Sequence, residues 1–205
     1  MGSWIDTEFF GPEGEDWRVP VSELEQRIES LSEALQDNNL PGVLIQHPVD
    51  LYYFSGGRQN ATLFVPASGS KASKNAGGDG PILMVRRSLS RAIYEAGSDD
   101  SPFEIIPFPR MKALVEFLQQ RGVEQAPALQ FGVIPADFAS RFSKTLAPLG
   151  SCSDATSIIH ELREIKSQWE IQQMKFSAKI QAKMFEAIES TLTVGVSELE
   201  LVAAA

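Results

Sequence analysis

The order of apolar and polar positions divides the chain into two differently built parts. From Ser22 onward, Leu24, Ile28, Leu31 and Leu35 recur at helical spacing and give one buried face. Ser22 with Glu25 predicts a capping box, each side chain satisfying a backbone N–H that a helix start leaves unpaired. Asn38 and Asn39 tolerate the left-handed turn that ends such a helix. The short apolar run 42–45 reads as a buried strand, and 48–54 as a helical turn opened by Pro48 and closed by Gly56-Gly57. Residues 61–65 and 82–85 predict two more strands, antiparallel because a single loop joins them. That loop, 67–80, has almost no large apolar group and is expected to be a flexible, solvated hairpin connection rather than a lid.

Beyond it the elements alternate. Helices are expected at 88–96, 111–121 (Leu114, Phe117 and Leu118 inward) and 135–146, and strands at 104–106, 130–133 and, weakly, 150–153. The pattern implies a three-layer α/β/α structure with a mixed sheet. The last part is different. Residues 155–165 read as helical, and Ser167 begins a longer helix. In it Ile171, Met174, Ala178, Gln181, Phe185, Ile188 and Leu192 form a seam spaced by threes and fours. Gly195 stops it, and Ser197 with Glu200 makes a second capping box. Ending one turn into a freshly capped apolar helix predicts a truncated chain. The expected layout is an arm over 1–20, an α/β domain over 21–165, and a hinge with the first helices of a further domain over 166–205.

Charge narrows the partners. In 205 residues, 18 Lys and Arg stand against 27 Asp and Glu, a net charge of -9. Such a surface repels phosphate backbones and anionic lipid, so neither nucleic acid nor membrane is an expected partner. With 43% hydrophobic residues the chain is rich enough for one sizeable core. The single cysteine, Cys152, cannot form an internal disulfide, which fits a cytoplasmic location. It reads as a small buried residue on a strand.

Three motifs in order carry a resemblance. Leu51-Tyr52-Tyr53-Phe54-Ser55-Gly56 follows the first strand. Pro81-Ile82-Leu83-Met84-Val85-Arg86-Arg87 follows the loop. Leu162-Arg163-Glu164-Ile165-Lys166-Ser167 precedes Glu170-Ile171 and the long helix. Their order and spacing resemble the N-terminal domain of the creatinase/prolidase family, which includes Xaa-Pro aminopeptidases, Xaa-Pro dipeptidases and creatinases. The resemblance implies a ribonuclease-H-like α/β domain preceding a pita-bread catalytic domain. There two Asp, one His and two Glu would hold two divalent metal ions that activate water. No Asp follows Asp154 and no His follows His160. The chain by itself is therefore expected to lack the metal site and to be inactive. Its expected partners are its own catalytic domain and a second identical subunit, with a short peptide as substrate of the whole protein. The alternatives are a stand-alone interaction module of the same fold, or a creatinase-like amidine hydrolase.

The family's dimer also supplies candidate site residues. The loop after the Leu51–Gly56 motif would reach the partner's substrate pocket, which nominates Tyr53, Phe54, Arg58 and His47 as a pocket wall in trans. Arg58 could offer a planar cation to a substrate oxygen. Each has a plainer reading: two of Tyr52, Tyr53 and Phe54 filling the core, a hydrogen-bonded structural His47, and a solvated Arg58. The cluster Arg86, Arg87 and Arg91 reads as surface ion pairs. His160 reads as interface packing. Glu161, Glu164 and Glu170 read as helical carboxylates paired with Arg163 and Lys166.

Overall fold

The computed structural model describes residues 16–74 and 77–204. Most of the expected arm, 1–15, lies outside the described residues; its last residues do pack. Val19 is 3% exposed, and the Arg18 guanidinium sits 4.5 Å from the centre of the Tyr94 ring.

Helix α1 (Val21–Asp37) buries Leu24, Ile28, Leu31 and Leu35, as the spacing requires. The Ser22–Glu25 box is not made. Pro20 takes the cap position instead, its carbonyl accepting from Glu23 N at 3.0 Å and Leu24 N at 3.1 Å. The cap therefore lies two residues earlier and Ser22 sits inside the first turn. Strands β1 (Gly42–Ile45), β2 (Ala61–Pro66), β3 (Ile82–Val85) and β4 (Glu104–Pro107) form one mixed sheet in that order. The first two pairings are antiparallel and β3–β4 is parallel.

Alternation along the strands serves two helix layers. Leu44, Phe64, Ile82 and Met84 share a core with Leu114 and Leu118 of α4 (Leu114–Gln120) and Phe142 and Leu146 of α5 (Ala136–Leu146). The opposite face is covered by α1, which packs on β1, β2 and α2 (Pro48–Ser55). Helix α3 (Leu89–Glu95) packs beside β4. Each fully buried Leu or Phe contributes about 1.5–3 kcal/mol, so these two faces carry the fold.

Two expected strands are not formed. Ala128 and Leu129 make single parallel bridges, to Val43 and Asp154, in place of strands at 130–133 and 150–153. The Gln130 side chain explains the first: its Oε1 accepts from the N–H groups of Gln46 (3.0 Å) and His47 (3.2 Å). A side chain thus carries on the ladder while the Gln130 carbonyl turns the chain, accepting from Val133 N and Ile134 N. At the second, Ser153 O and Asp154 meet Leu129 and Ala155 N pairs with Leu129 O, so pairing ends where α6 (Thr156–Glu164) begins. Cys152 is half-buried against the core, and burial pushes its thiol up despite the Ser143 hydrogen bond.

The loop after β2 is not a solvated excursion. Ala67, Ala72 and Ser73 are buried, and Ala72 joins the core beside Leu114 and Val123. The backbone nests because its neighbour is small: a Cβ on Gly122 (φ +79) would stand 3.2 Å from the Lys71 backbone. Residues 75 and 76 lie outside the described residues.

The chain divides into two compact units, one ending at Leu162 and one running Arg163–Ala205. The second consists of the end of α6, α7 (Gln168–Thr191) and α8 (Glu198–Ala204). Ser167 and Glu170 make a reciprocal capping box at α7. Ser197 and Glu200 make the expected one at α8, Ser197 N reaching Glu200 Oε2 at 2.8 Å.

Candidate functional site

A cleft of 560 Å3 opens between the ends of β1 and β2 and the start of α5. Its polar side is built by α2 and the turn that follows. Pro48 opens α2, and Gly56 closes it with φ 67, its N–H on Tyr52 O at 2.8 Å. Only a residue without Cβ adopts that conformation cheaply, and a Cβ there would press on Glu95 O at 3.2 Å. Ser55 Oγ donates to Leu51 O at 2.6 Å and accepts from Gly57 N at 3.1 Å, which aims the next residue, Arg58, at the cleft rim.

Two buried carboxylates hold this geometry. Glu95 of α3, 1% exposed, accepts from Arg58 N (2.7 Å), Gln59 Nε2 (3.0 Å) and Arg91 Nε (2.9 Å). Asp50, fully buried, shares Oδ2 between His47 Nδ1 (2.9 Å) and Gln130 Nε2 (2.7 Å). Gln130 is thus clamped at both ends, by Asp50 and by the main chain of Gln46 and His47. A carboxylate bonded to fixed donors is a charge-assisted anchor, about twice as strong as a neutral pair. The opposite wall is apolar, from Ile134, Pro135 and Phe138.

Of the residues nominated by sequence, His47 and Arg58 line this cleft and Tyr53 and Phe54 do not. Phe54 is fully buried, with the Tyr53 ring edge-on at 4.9 Å. Tyr53 lies under Arg27, whose guanidinium is 3.9 Å from the ring centre and donates to Tyr53 O at 2.7 Å. Arg27 is itself buried and paired with Glu23 at 2.9 Å. Among the basic residues after β3, Arg91 pairs with Glu95. Arg86 instead stacks 3.6 Å from the Phe108 ring centre, and burial, with Arg141 nearby, lowers its pKa. His160 is exposed. Glu170 caps α7, and Lys166 donates to Glu164 O. Gln46, Glu95 and Gln130 were not nominated. Nothing in their local sequence distinguishes them, because the contacts that bring Glu95 and Gln130 to the cleft are with residues 36 to 84 positions away.

Among the described residues no three His, Cys, Asp or Glu side chains come together in a group that could hold a metal ion. No helix among the described residues is long and apolar enough to cross a membrane.

The family model of the creatinase/prolidase N-terminal domain matches residues 27–165. The chain belongs to this family. A Xaa-Pro dipeptidase from Pyrococcus furiosus is 24% identical over 183 residues, covering 88% of this chain and 47% of that protein. An uncharacterised peptidase from Staphylococcus haemolyticus is 26% identical over 192 residues, with 86% and 47% covered. Among solved structures, a Xaa-Pro dipeptidase from Bacillus anthracis superposes with a TM-score of 0.70 at 18% identity, covering 88% of this chain and 47% of that one. The N-terminal domain of a cytoplasmic peptidase PepQ from Mycobacterium tuberculosis is matched over 98% of its length and 67% of this chain, with a TM-score of 0.52 at 19% identity. The chain thus spans about half the length of the curated relatives it matches, and the α/β fold with its mixed sheet is theirs.

Proposed function

We propose that this chain is the non-catalytic N-terminal domain of a metal-dependent Xaa-Pro-type peptidase, aminopeptidase or dipeptidase. In this reading it supports dimerisation and lends its cleft to the wall of the partner subunit's substrate pocket. The observation that carries the proposal is the braced pair His47 and Arg58 on one cleft in a domain of this family. Each is tied to a buried carboxylate: His47 by its ring to Asp50, Arg58 by its N–H to Glu95. The bond to Glu95 fixes the Arg58 main chain, and so the point from which its side chain leaves the turn toward the cleft. Two divalent metal ions held outside this chain supply the activated water. The chain's own part is to bind, orient and limit the length of short, often proline-containing peptides. The exposed seam of α7 then meets the catalytic domain, and the setting is cytoplasmic.

The test is Arg58→Ala in the parent peptidase. The expected result is a kcat/KM on short Xaa-Pro peptides lower by roughly 10- to 100-fold, at about 1.4 kcal/mol per decade, with metal content unchanged. Full kcat/KM in the variant contradicts the proposal. Turnover of a small amidine and not of Xaa-Pro peptides moves the parent to creatinase-type chemistry. No hydrolase activity at all leaves a binding module.

A further inference from the structure

Gln46 carries two side-chain polar atoms, Nε2 and Oε1, that are both buried and both without a hydrogen-bond partner. A buried polar group left unpaired costs its desolvation, and folds retain few of them without a use. Exchanging the oxygen and nitrogen positions changes nothing, since both lack partners. The main chain of Gln46 is by contrast anchored, its N–H on Gln130 Oε1. Only the carboxamide is spare, and Gln46 lines the cleft. Thr62 repeats the feature. It is 1% exposed with Oγ1 unpartnered. The register that pairs Ile45 with Leu63 brings Thr62 opposite Gln46 at its next step, on the sheet face of Leu44 and Phe64.

A carboxamide presents a donor and an acceptor side by side. A carboxylate satisfies only the donor and repels the oxygen, and an ammonium does the reverse. One extended peptide residue complements both, because its N–H and C=O point to the same side, as in a hydrogen-bonded pair of an antiparallel ladder. Gln46 stands one residue past the end of β1 with its outer N–H already taken by Gln130 Oε1, so the pairing would be made by the carboxamide on the sheet face alone. Ile134, Pro135 and Phe138 line the same cleft and offer an apolar side chain its contact. We infer that Gln46 is a specificity-determining residue that reads the main chain of an extended, apolar, non-proline peptide residue in this cleft. Proline itself is refused because it has no N–H to give. The class of occupant rests on the peptide-facing reading of the cleft proposed above.

The experiment uses the 205-residue chain, labelled with nitrogen-15, and three probes. These are N-acetyl-leucine N-methylamide, its ester analogue in which oxygen replaces the leucine N–H, and N-acetyl-proline N-methylamide. The leucine amide is expected to shift the Gln46 side-chain NH2 resonances, with the ester and the proline probe binding about tenfold more weakly or worse. Gln46→Met is expected to weaken the leucine probe by at least about tenfold while leaving Tm unchanged or raised, because two unpaired polar atoms are removed. A merely structural glutamine would show the opposite, a lower Tm with binding intact. Gln46→Glu keeps an acceptor and loses the donor, so it too should bind weakly, and it decides the matter if the methionine variant does not fold. Equal binding of amide and ester, unshifted Gln46 resonances at millimolar probe, or wild-type affinity in both variants overturns the inference. Because this readout needs neither dimer nor catalysis, a failed Arg58→Ala test with amide-selective binding intact would sink the pocket-wall reading alone. The converse result would sink only the role of Gln46.

Discussion

Removing the Glu95 carboxylate should loosen the whole turn that presents Arg58. The side chain is 1% exposed and holds three donors from two elements. Glu95→Ala leaves the Arg58 N–H without its 2.7 Å acceptor and frees Gln59. A hydrogen bond to a charged group contributes about 1.5–3 kcal/mol. The Arg91 contact lies within one helix turn and has a partly exposed partner, so it adds only about 0.5 kcal/mol. The sum, before any cavity term, is a loss of about 3.5–6.5 kcal/mol for Glu95→Ala. Glu95→Gln keeps one acceptor but turns an amide donor toward donors, at about 1–3 kcal/mol. Urea unfolding followed by far-ultraviolet circular dichroism measures the stability, and amide hydrogen exchange reports Arg58 N–H directly. Glu95→Ala within about 0.5 kcal/mol of wild type, with the Arg58 amide still protected, would refute the reasoning, since only surface sites behave so.

Gly56→Ala should lower stability by about 1–2 kcal/mol, read as a fall in Tm, because φ 67 is strained for an L-residue and the added Cβ meets Glu95 O. Burial raises the Asp154 pKa, but hydrogen bonds from the Thr156 hydroxyl and from the N–H groups of Thr156, Phe131 and Ala155 outweigh it and hold the carboxyl below its ordinary 3.8. Its contribution is therefore full above 3.8 and lost as the pH falls through the lower folded-state value. Asp154→Asn should lower stability at neutral pH and flatten the acid limb of the pH–stability curve, and an unchanged acid limb counts against this. The α7 seam leaves Met174, Phe185 and Leu192 about 60% exposed, so the chain should self-associate at micromolar concentration in sedimentation. Phe185→Asp should weaken that while the far-ultraviolet spectrum stays wild-type, and a strict monomer at high micromolar concentration contradicts it.

The elements legible in the sequence were those whose pattern is set by burial on one face. Leu24, Ile28, Leu31 and Leu35 mark α1, and the unbroken apolar runs mark β1, β2 and β3, as buried strands require. What stayed hidden depended on partners distant in sequence. The apolar look of 130–133 suggests a strand, yet the Gln130 side chain replaces the backbone in the ladder. The polar look of 67–80 suggests solvent, yet Ala72 enters the core because Gly122 lets the chain come close. At the site, His47, Tyr53, Phe54 and Arg58 were nominated together and the first and last of them line the cleft, while Glu95, Gln130 and Gln46 became visible only once folding brought them together. Tyr53 lies under Arg27 and Phe54 in the core, a placement that the aromatic run by itself left open.

The most direct test of the pocket-wall reading is a mixed dimer of the parent peptidase. One subunit carries Arg58→Ala and the other lacks a catalytic metal ligand, so the one intact metal centre faces the mutated cleft if the site is shared across the interface. The account predicts kcat/KM on short Xaa-Pro peptides at the level of the Arg58→Ala homodimer. Activity equal to one wild-type site would contradict it.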